Sequence, residues 1–467
     1  MNKKGVIIMY EINFENKQHI YFIGIGGISM SGLAEILLTE GFKVSGSDSR
    51  RSPLTESLEK NGAVIHYGQR AENITKNIDV VVFTSAIHPD NPEYAKAVEY
   101  QIPLLSRAQL LGQLMRNYKL PVAISGTHGK TTTTSMVSEI LLQADTDPTL
   151  SIGGILKTIG GNIRVGGSQY FVTEACEYTN SFLSFFPKYS IILNIEADHL
   201  DFFKDLNDIR NSFHRFACLL PADGALIING EIDHVEEITK DVACPVITYG
   251  ADPSFDYHPE DISWDELGHA SFTLVKKDGT RRAFSLKVPG EHNIYNACAA
   301  IALVDLFAID TEDIRTALLH FTGTDRRFEY KGEVNGITII DDYAHHPTEI
   351  AATLKAAQNY PHKTLWCIFQ PHTYTRTKSF MKEFAQAVSH ADHVILADIY
   401  PARETDNLGI SSETLQKELL ALGAKCTYLP SFEEIEKYVL ENCTSGDLLI
   451  TMGAGDVVKI GENLLKK

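Results

Sequence analysis

A short glycine-rich stretch offers the strongest chemical signal in the chain. Residues 124–141 read ISGTHGKTTTTSMVSEIL: the end of an apolar strand, a turn, and a helix that starts at Lys130. A lysine ammonium and the amides at a helix start suit the phosphates of a nucleotide, and the Thr131 hydroxyl suits Mg²⁺. Two residues separate Gly126 from Gly129, so the loop is shorter than the usual four-residue version. Threonine is a poor helix former, so an ordinary capped helix explains the threonine run poorly.

Carboxylates follow two further apolar strands of this region. Glu174 ends YFVTE, and SIILNI leads into Glu196, Asp198, His199 and Asp201. Taken singly, each is typical of a solvated loop charge. Because they follow strands beside the phosphate-loop strand, we expect them at the same sheet edge, where carboxylates hold Mg²⁺.

A second glycine turn lies near the amino terminus. Gly24, Gly26 and Gly27 follow a strand and open a helix, and Asp48 ends the next strand. This approximates a dinucleotide-binding pattern, but serine stands at its third glycine position. The residues leave three interpretations open: a nucleotide diphosphate other than NAD, NAD(P), or a tight structural turn.

Further candidates lie in the carboxyl-terminal half. The helix HNIYNACAA places His292 or Asn293 and Asn296 on one face, where amides can bind an adenine edge. The sequence RRFE offers Arg326 and Arg327 as cations for a transferring phosphate. DDYAHHPTE and QPHTYTRT concentrate histidine, tyrosine and arginine in two strand-end loops, which favours a ligand site over packing.

Strands and helices alternate along the chain in three units, which predicts α/β domains with parallel sheets. The first two units meet near residue 119 and the second and third near residue 326. The stretch 95–119 is predicted to be helical and to lead out of the first unit. A chain of 467 residues is too long for one hydrophobic core, which also favours several domains.

Composition excludes several partners. The formal net charge is −18 with no long basic run, which argues against nucleic acid and anionic membranes. The seven cysteines are scattered, which is typical of reduced thiols in a cytoplasmic protein. No apolar stretch of membrane-spanning length and no signal-peptide pattern is found.

The motifs together resemble the Mur ligases. They are GIGGISMSGLAE, GTHGKTTTT, HNIYNACAA, GTDRRFE, DDYAHHPTE, QPHTYTRT and GAGD, and they occur in one order between residues 19 and 456. The resemblance implies an α/β fold of three domains. These are a Rossmann-like UDP-binding domain (1–118), a central P-loop ATP-binding domain with a parallel sheet (119–325), and a Rossmann-like amino-acid-binding domain (326–467).

The resemblance also implies roles for individual residues. For ATP, the expected ligands are Gly126, Thr127, His128, Gly129, Lys130, Thr131, Thr132, Asn293, Asn296, Arg327 and Asp342. For magnesium they are Thr131, Glu174 and His199. For the sugar nucleotide and the amino acid they are Gly24, Gly26, Gly27, Asp48, His66, Thr84, Ser85, Ala86, Tyr343, His346, Arg376 and Arg403. The expected catalytic residues are Lys130, Arg327, His345 and His346, with one histidine as the proton acceptor.

The implied reaction uses ATP and Mg²⁺ to join L-alanine to the lactyl carboxylate of UDP-N-acetylmuramate through an acyl phosphate, in peptidoglycan precursor synthesis. We expect a cytoplasmic monomer or weak homodimer. Three alternatives remain open. A murein-peptide ligase would act on the same sugar nucleotide, an NAD(P)-dependent dehydrogenase would leave the phosphate loop without purpose, and a nucleotide-gated binding protein would leave the carboxylates and Arg327 unexplained.

Overall fold

The computed structural model describes residues 10–84, 86–402 and 404–467. Its first sheet contains β1 (His19–Ile23), β2 (Lys43–Asp48), β3 (Val64–Tyr67), β4 (Val80–Phe83) and β5 (Leu104–Ser106). The helices are α1 (Ile28–Thr39), α2 (Pro53–Lys60), α3 (Pro92–Glu99) and α4 (Arg107–Met115). All strands are parallel, in the order β3-β2-β1-β4-β5. The glycine turn after β1 and Asp48 therefore lie at one edge, where such sheets bind ligands.

The prediction of continuous helical structure over residues 95–119 is wrong. Two helices, α3 and α4, flank the edge strand β5. A strand of three residues is too short to show an alternating pattern, and its leucines also fit a helix. Pro103 precedes the strand and prevents α3 from continuing into it.

The central sheet has ten strands in the order β15-β14-β13-β12-β11-β10-β6-β9-β7-β8. They are β6 (Leu120–Ser125), β7 (Thr149–Leu156), β8 (Gly161–Arg164), β9 (Tyr170–Glu174), β10 (Tyr189–Ile192), β11 (Ala225–Asn229), β12 (Val246–Tyr249), β13 (Tyr257–Trp264), β14 (His269–Lys276) and β15 (Arg281–Pro289). The helices are α5 (Lys130–Gln143), α6 (Leu206–Ala217), α7 (Val235–Thr239), α8 (His292–Asp305) and α9 (Thr311–His320).

The middle of this sheet is parallel, as predicted. The antiparallel β13–β14–β15 extension and the β7–β8 hairpin were not predicted from the sequence. Helix α8 is almost entirely buried and packs with α5 against one face, which explains its run of alanine and aliphatic residues.

The third sheet has the order β16-β17-β21-β18-β19-β20. Its strands are β16 (Glu329–Val334), β17 (Ile337–Asp342), β18 (Leu365–Phe369), β19 (His393–Leu396), β20 (Cys426–Tyr428) and β21 (Leu448–Met452). Its helices are α10 (Pro347–Gln358), α11 (Tyr374–Ser379), α12 (Met381–Val388), α13 (Ser412–Ala421), α14 (Phe432–Asn442) and α15 (Val458–Leu464). The edge strand β16 is antiparallel to β17, the other strand pairs described for this sheet are parallel, and helices cover both faces.

Each sheet lies within one of the three predicted ranges, while the limits of those ranges stay a prediction. Among the described residues, no helix is both long and apolar enough to cross a bilayer.

Candidate active site between three domains

The phosphate loop connects β6 to α5. Gly126 and Gly129 have φ angles of 144° and 81°, which side-chain-bearing residues rarely adopt. A Cβ at Gly126 would also lie 2.9 Å from the Cβ of Leu193. These two glycines let the loop turn tightly and direct its amides toward the start of α5, the geometry that phosphates require.

The ammonium group of Lys130 is held inside the loop. It donates to the carbonyls of Gly126 and Thr127 and lies 3.0 Å from an oxygen of Glu177. The Glu177 side chain is 2% exposed. Sequence reasoning missed Glu177, whose one signal was its position three residues after Glu174.

The structure brings the predicted metal ligands to one cavity. The Thr131 hydroxyl donates to Glu174 at 3.2 Å, and His199 lines the same cavity. Burial raises the pKa of Glu174 against the opposing effects of Lys130 and Arg327, and burial lowers the pKa of His199, which favours its neutral imidazole. A hydroxyl, a carboxylate and a neutral imidazole fit a divalent cation.

Changing Glu174 to glutamine is expected to raise the Mg²⁺ concentration needed for half-maximal activity about tenfold or more, because the amide removes a charged ligand. Magnesium titration of the rate measures this. Glu139→Gln is the matched control, since Glu139 lies on α5 and bonds to Thr158 instead. Superimposable titrations of Glu174→Gln and wild type would contradict the assignment.

A cavity of about 240 Å³ lies beside the phosphate loop, between the central and carboxyl-terminal domains. The amide of Asn293 donates to the Pro289 carbonyl, and Asn296 donates to Asn293. The predicted ATP ligands that line this cavity are His128, Gly129, Thr132, Asn293, Asn296, Arg327 and Asp342. Two asparagines, an arginine and apolar walls are suited to a nucleoside.

His128 connects the two domains that form this cavity. Its Nδ1 lies 3.2 Å from Glu349 at the start of α10, and its Nε2 lies 3.5 Å from Glu196. Burial alone would lower the pKa of His128, but the two carboxylates outweigh it and raise the pKa to about 9. His128, Glu196 and His346 are also close enough together to hold a metal ion. Because the His128 ring is protonated at neutral pH, a metal ion could bind there only by displacing that proton.

The His128 contacts are expected to stabilise the protein in a pH-dependent way. Since folding raises this pKa above 6.5, the contribution is complete below about pH 6.5 and disappears as pH rises through about 9. The melting temperature of the wild type should therefore be higher than that of His128→Gln at pH 6.5. This difference in melting temperature should shrink by pH 9.5. A difference that stays constant or grows with pH would contradict the assignment.

The two predicted catalytic histidines have different environments. His346 caps α10 by accepting from the Thr348 amide, and its Nε2 donates to the Ala197 carbonyl. His345 donates through Nδ1 to the Tyr343 carbonyl at 3.0 Å, which leaves a lone pair on Nε2. The geometry therefore favours His345 as proton acceptor and gives His346 a positioning role between the domains.

Arg327 and Tyr343 border a larger cavity of about 600 Å³ together with Lys130, Glu174 and His345. The neighbouring Arg326 is instead held by Asp341 and the carbonyls of Gly453 and Gly455. Arg327 is therefore the arginine available to a ligand.

Arg376 lies in an adjoining cavity and pairs with Asp198 at 3.1 Å. Arg376 holds the pKa of Asp198 well below its usual range against the opposing effect of burial. An amino-acid carboxylate would therefore have to compete with Asp198 for this guanidinium. Ser85 and Arg403 lie outside the described residues.

The predicted sugar-nucleotide residues collect at the carboxyl edge of the first sheet. The amide of Gly26 donates to Asp48 at 2.9 Å, and Gly27 precedes α1. The Gly24 amide donates to Ser47 at 2.9 Å. His66 on β3 stacks on Tyr21, while the Thr84 hydroxyl after β4 accepts from Ala86. The amides of the turn itself are thus occupied within the protein, whereas α1 begins after Gly27 without a side-chain cap, so the first amides of the helix are the ones available to an anion.

A phosphate loop, a buried carboxylate beside it and a cavity closed by another domain define a multidomain nucleotide-binding enzyme of the P-loop class. The chain belongs to the Mur ligase family. It matches the family's catalytic domain over residues 19–119, its middle domain over 124–304 and its glutamate ligase domain over 326–455.

Relatives extend over the whole chain. A UDP-N-acetylmuramate–L-alanine ligase of Agathobacter rectalis is 61% identical over 459 residues, 98% of this chain and 100% of the relative. The solved UDP-N-acetylmuramate–alanine ligase of Thermotoga maritima is 29% identical, with a TM-score of 0.79 over 96% of this chain and 98% of that one. A solved murein peptide ligase of Psychrobacter arcticus is 28% identical, with a TM-score of 0.71 over 96% of this chain and 98% of that one.

Proposed function

We propose that this protein is an ATP-dependent ligase that joins L-alanine to the lactyl carboxylate of UDP-N-acetylmuramate in peptidoglycan precursor synthesis. The observation that carries the proposal is the single cleft where Lys130, Glu174, Arg327 and His345 meet from two domains. The 61% identity to an L-alanine ligase over nearly the whole chain favours this substrate pair.

The cleft suits transfer of the γ-phosphoryl group of ATP to a carboxylate. The carboxylate oxygen bonds to phosphorus, ADP leaves, and the product is an acyl phosphate. Lys130 and Arg327 stabilise negative charge on the phosphoryl group during this transfer. Thr131, Glu174 and His199 are the proposed ligands of Mg²⁺, which supplies further charge neutralisation when it is bound.

The amine of L-alanine then attacks the acyl carbon, phosphate leaves, and an amide forms. Burial lowers the pKa of His345 to about 3, so its ring is neutral at pH 7. Its free Nε2 can accept a hydrogen bond from the amine and orient it, although a ring of such low pKa takes a proton only from the acidic N–H that develops as the C–N bond forms. Closure of the domains around the cleft would also exclude water from the acyl phosphate.

We place the reaction in the cytoplasm, because ATP and nucleotide-activated sugars are found there. A monomer or weak homodimer remains our expectation for the assembly. Each domain contributes its own ligand surface, so domain closure within one chain can complete the cleft.

Phosphate release tests the function. We expect release only when ATP, UDP-N-acetylmuramate and L-alanine are all present, and no release when any one is omitted. A murein-peptide ligase would instead prefer a murein tripeptide over L-alanine, an alternative supported by the similarity to the Psychrobacter arcticus enzyme. Release that is independent of the amino component would contradict both functions.

A further inference from the structure

Glu349 is a carboxylate inside the active site to which the proposed reaction assigns no role. It lies in the first turn of α10, and its side chain is 12% exposed. It borders both the nucleoside cavity beside the phosphate loop and the larger cleft that contains Lys130 and Glu174. Glu349 therefore lies where the nucleoside cavity and the phosphoryl-transfer cleft meet.

One oxygen of Glu349 is shared by two cations. Its Oε1 lies 3.2 Å from Nδ1 of His128 and 3.6 Å from Nη1 of Arg327. Burial opposes the charge of Glu349, but His128 and Arg327 outweigh burial and hold the pKa of the carboxyl well below its usual range. The ionised carboxylate thus keeps Arg327 beside the phosphate loop, to which His128 belongs.

The other oxygen of Glu349 anchors the carboxylate. Oε2 accepts a hydrogen bond from the backbone amide of His345 at 3.2 Å. That amide lies one residue before the α10 N-cap His346, whose side chain accepts from the Thr348 amide. Because both carboxylate oxygens have partners and the helix start is capped, the position of Glu349 is fixed by its surroundings.

Glu349 orients Arg327 without occupying the whole guanidinium. The contact with Glu349 involves Nη1, and the guanidinium also lies 5.5 Å from the ring centroid of Tyr343. A guanidinium has five N–H donors, so donors remain for phosphoryl oxygens. Arg326 shows the contrast, since a carboxylate and two carbonyls occupy its guanidinium. Glu349 therefore meets the requirement for a residue that aims a catalytic cation.

We infer that Glu349 is a positioning residue, which holds the Arg327 guanidinium toward the γ-phosphoryl group of ATP during the transfer. This inference rests on the proposed function. Loss of the carboxylate would leave Arg327 free to take other rotamers, and the transition state would then have to bear the cost of ordering it. The competing explanation is structural, because an acidic side chain in the first turn also stabilises a helix through its dipole.

A double-mutant cycle between Glu349 and Arg327 tests the inference. Glu349→Gln keeps the shape of the side chain and removes its charge, so we expect kcat to fall roughly 10- to 100-fold with KM for ATP little changed. In the Arg327→Ala background the same substitution should have almost no further effect, because the residue through which Glu349 acts is absent. An equal loss in both backgrounds, or an unchanged kcat in Glu349→Gln, would overturn the inference.

Thermal unfolding separates positioning from a structural role. A structural role predicts that Glu349→Gln lowers the melting temperature while the folded variant keeps the wild-type kcat, a result that would overturn the inference. Lys355→Gln is the matched control, because Lys355 lies on the same helix, pairs with Glu291 of the central domain at 3.4 Å and borders a different cavity. This control should keep the wild-type kcat and KM.

A second cycle keeps the test informative if Glu349→Gln does not fold. The combination His128→Gln/Glu349→Gln neutralises both partners, so neither charge is left buried alone. Adding Arg327→Ala to this pair should lower kcat far less than it does in the wild type, and the full wild-type loss would overturn the inference. Phosphate release by the wild type with L-alanine reports on the proposed function alone, so failure of either claim is recognised separately.

Discussion

Replacing Lys130 with alanine is expected to lower kcat by on the order of 10³-fold or more, because the transferring phosphoryl group loses its main fixed cation. Stability should fall as well, by about 3 kcal/mol, because Glu177 is left buried without its partner. Steady-state kinetics and thermal unfolding measure the two effects.

The double variant Lys130→Ala/Glu177→Gln separates the effect on turnover from the effect on stability. Neutralising Glu177 removes the unpaired charge, so this variant should recover most of the lost stability while turnover stays low. If turnover recovers together with stability, the lysine acts through folding alone. Near-normal turnover in the single variant would exclude Lys130 from the ATP site.

Arg327→Ala is expected to lose on the order of 10³-fold in kcat, since an arginine that neutralises phosphoryl charge contributes on that scale. Arg327 borders both cavities and lies 3.6 Å from Glu349, so the carboxyl-terminal domain keeps it directed into the cleft. Arg327→Lys should recover little, because an ammonium cannot reproduce the planar fork.

Arg315→Ala provides the comparison for Arg327→Ala. Arg315 lies on the surface of the central domain, where it pairs with Glu312. This variant should keep wild-type kinetics. If Arg327→Ala raises only KM for ATP and leaves kcat unchanged, Arg327 binds the ground state and does not stabilise the transfer.

The sequence predicted the parallel cores of the sheets because each buried strand is a continuous apolar run that ends in chemically distinctive residues. The phosphate loop is the clearest case, since a local run of residues specifies both its turn and its ligand. The edge elements were harder. The short strand β5 and the antiparallel extension after β12 depend on pairing partners that local patterns do not reveal.

The site was predictable where one segment supplies the chemistry, and unpredictable where a pair spans distant segments. Glu177 could not be matched to Lys130 from spacing, because the two lie 47 positions apart in the sequence. The pairing of Arg376 with Asp198 joins different domains.

Isotope transfer tests the central claim, activation of the carboxylate by phosphorylation, most directly. The lactyl carboxylate of UDP-N-acetylmuramate is labelled with ¹⁸O, the enzyme is supplied with ATP, Mg²⁺ and L-alanine, and the released phosphate is analysed by mass spectrometry. We predict one ¹⁸O atom in each phosphate, because the attacking carboxylate oxygen stays bonded to phosphorus when the amine displaces it. Unlabelled phosphate alongside normal amide formation would contradict the acyl-phosphate mechanism.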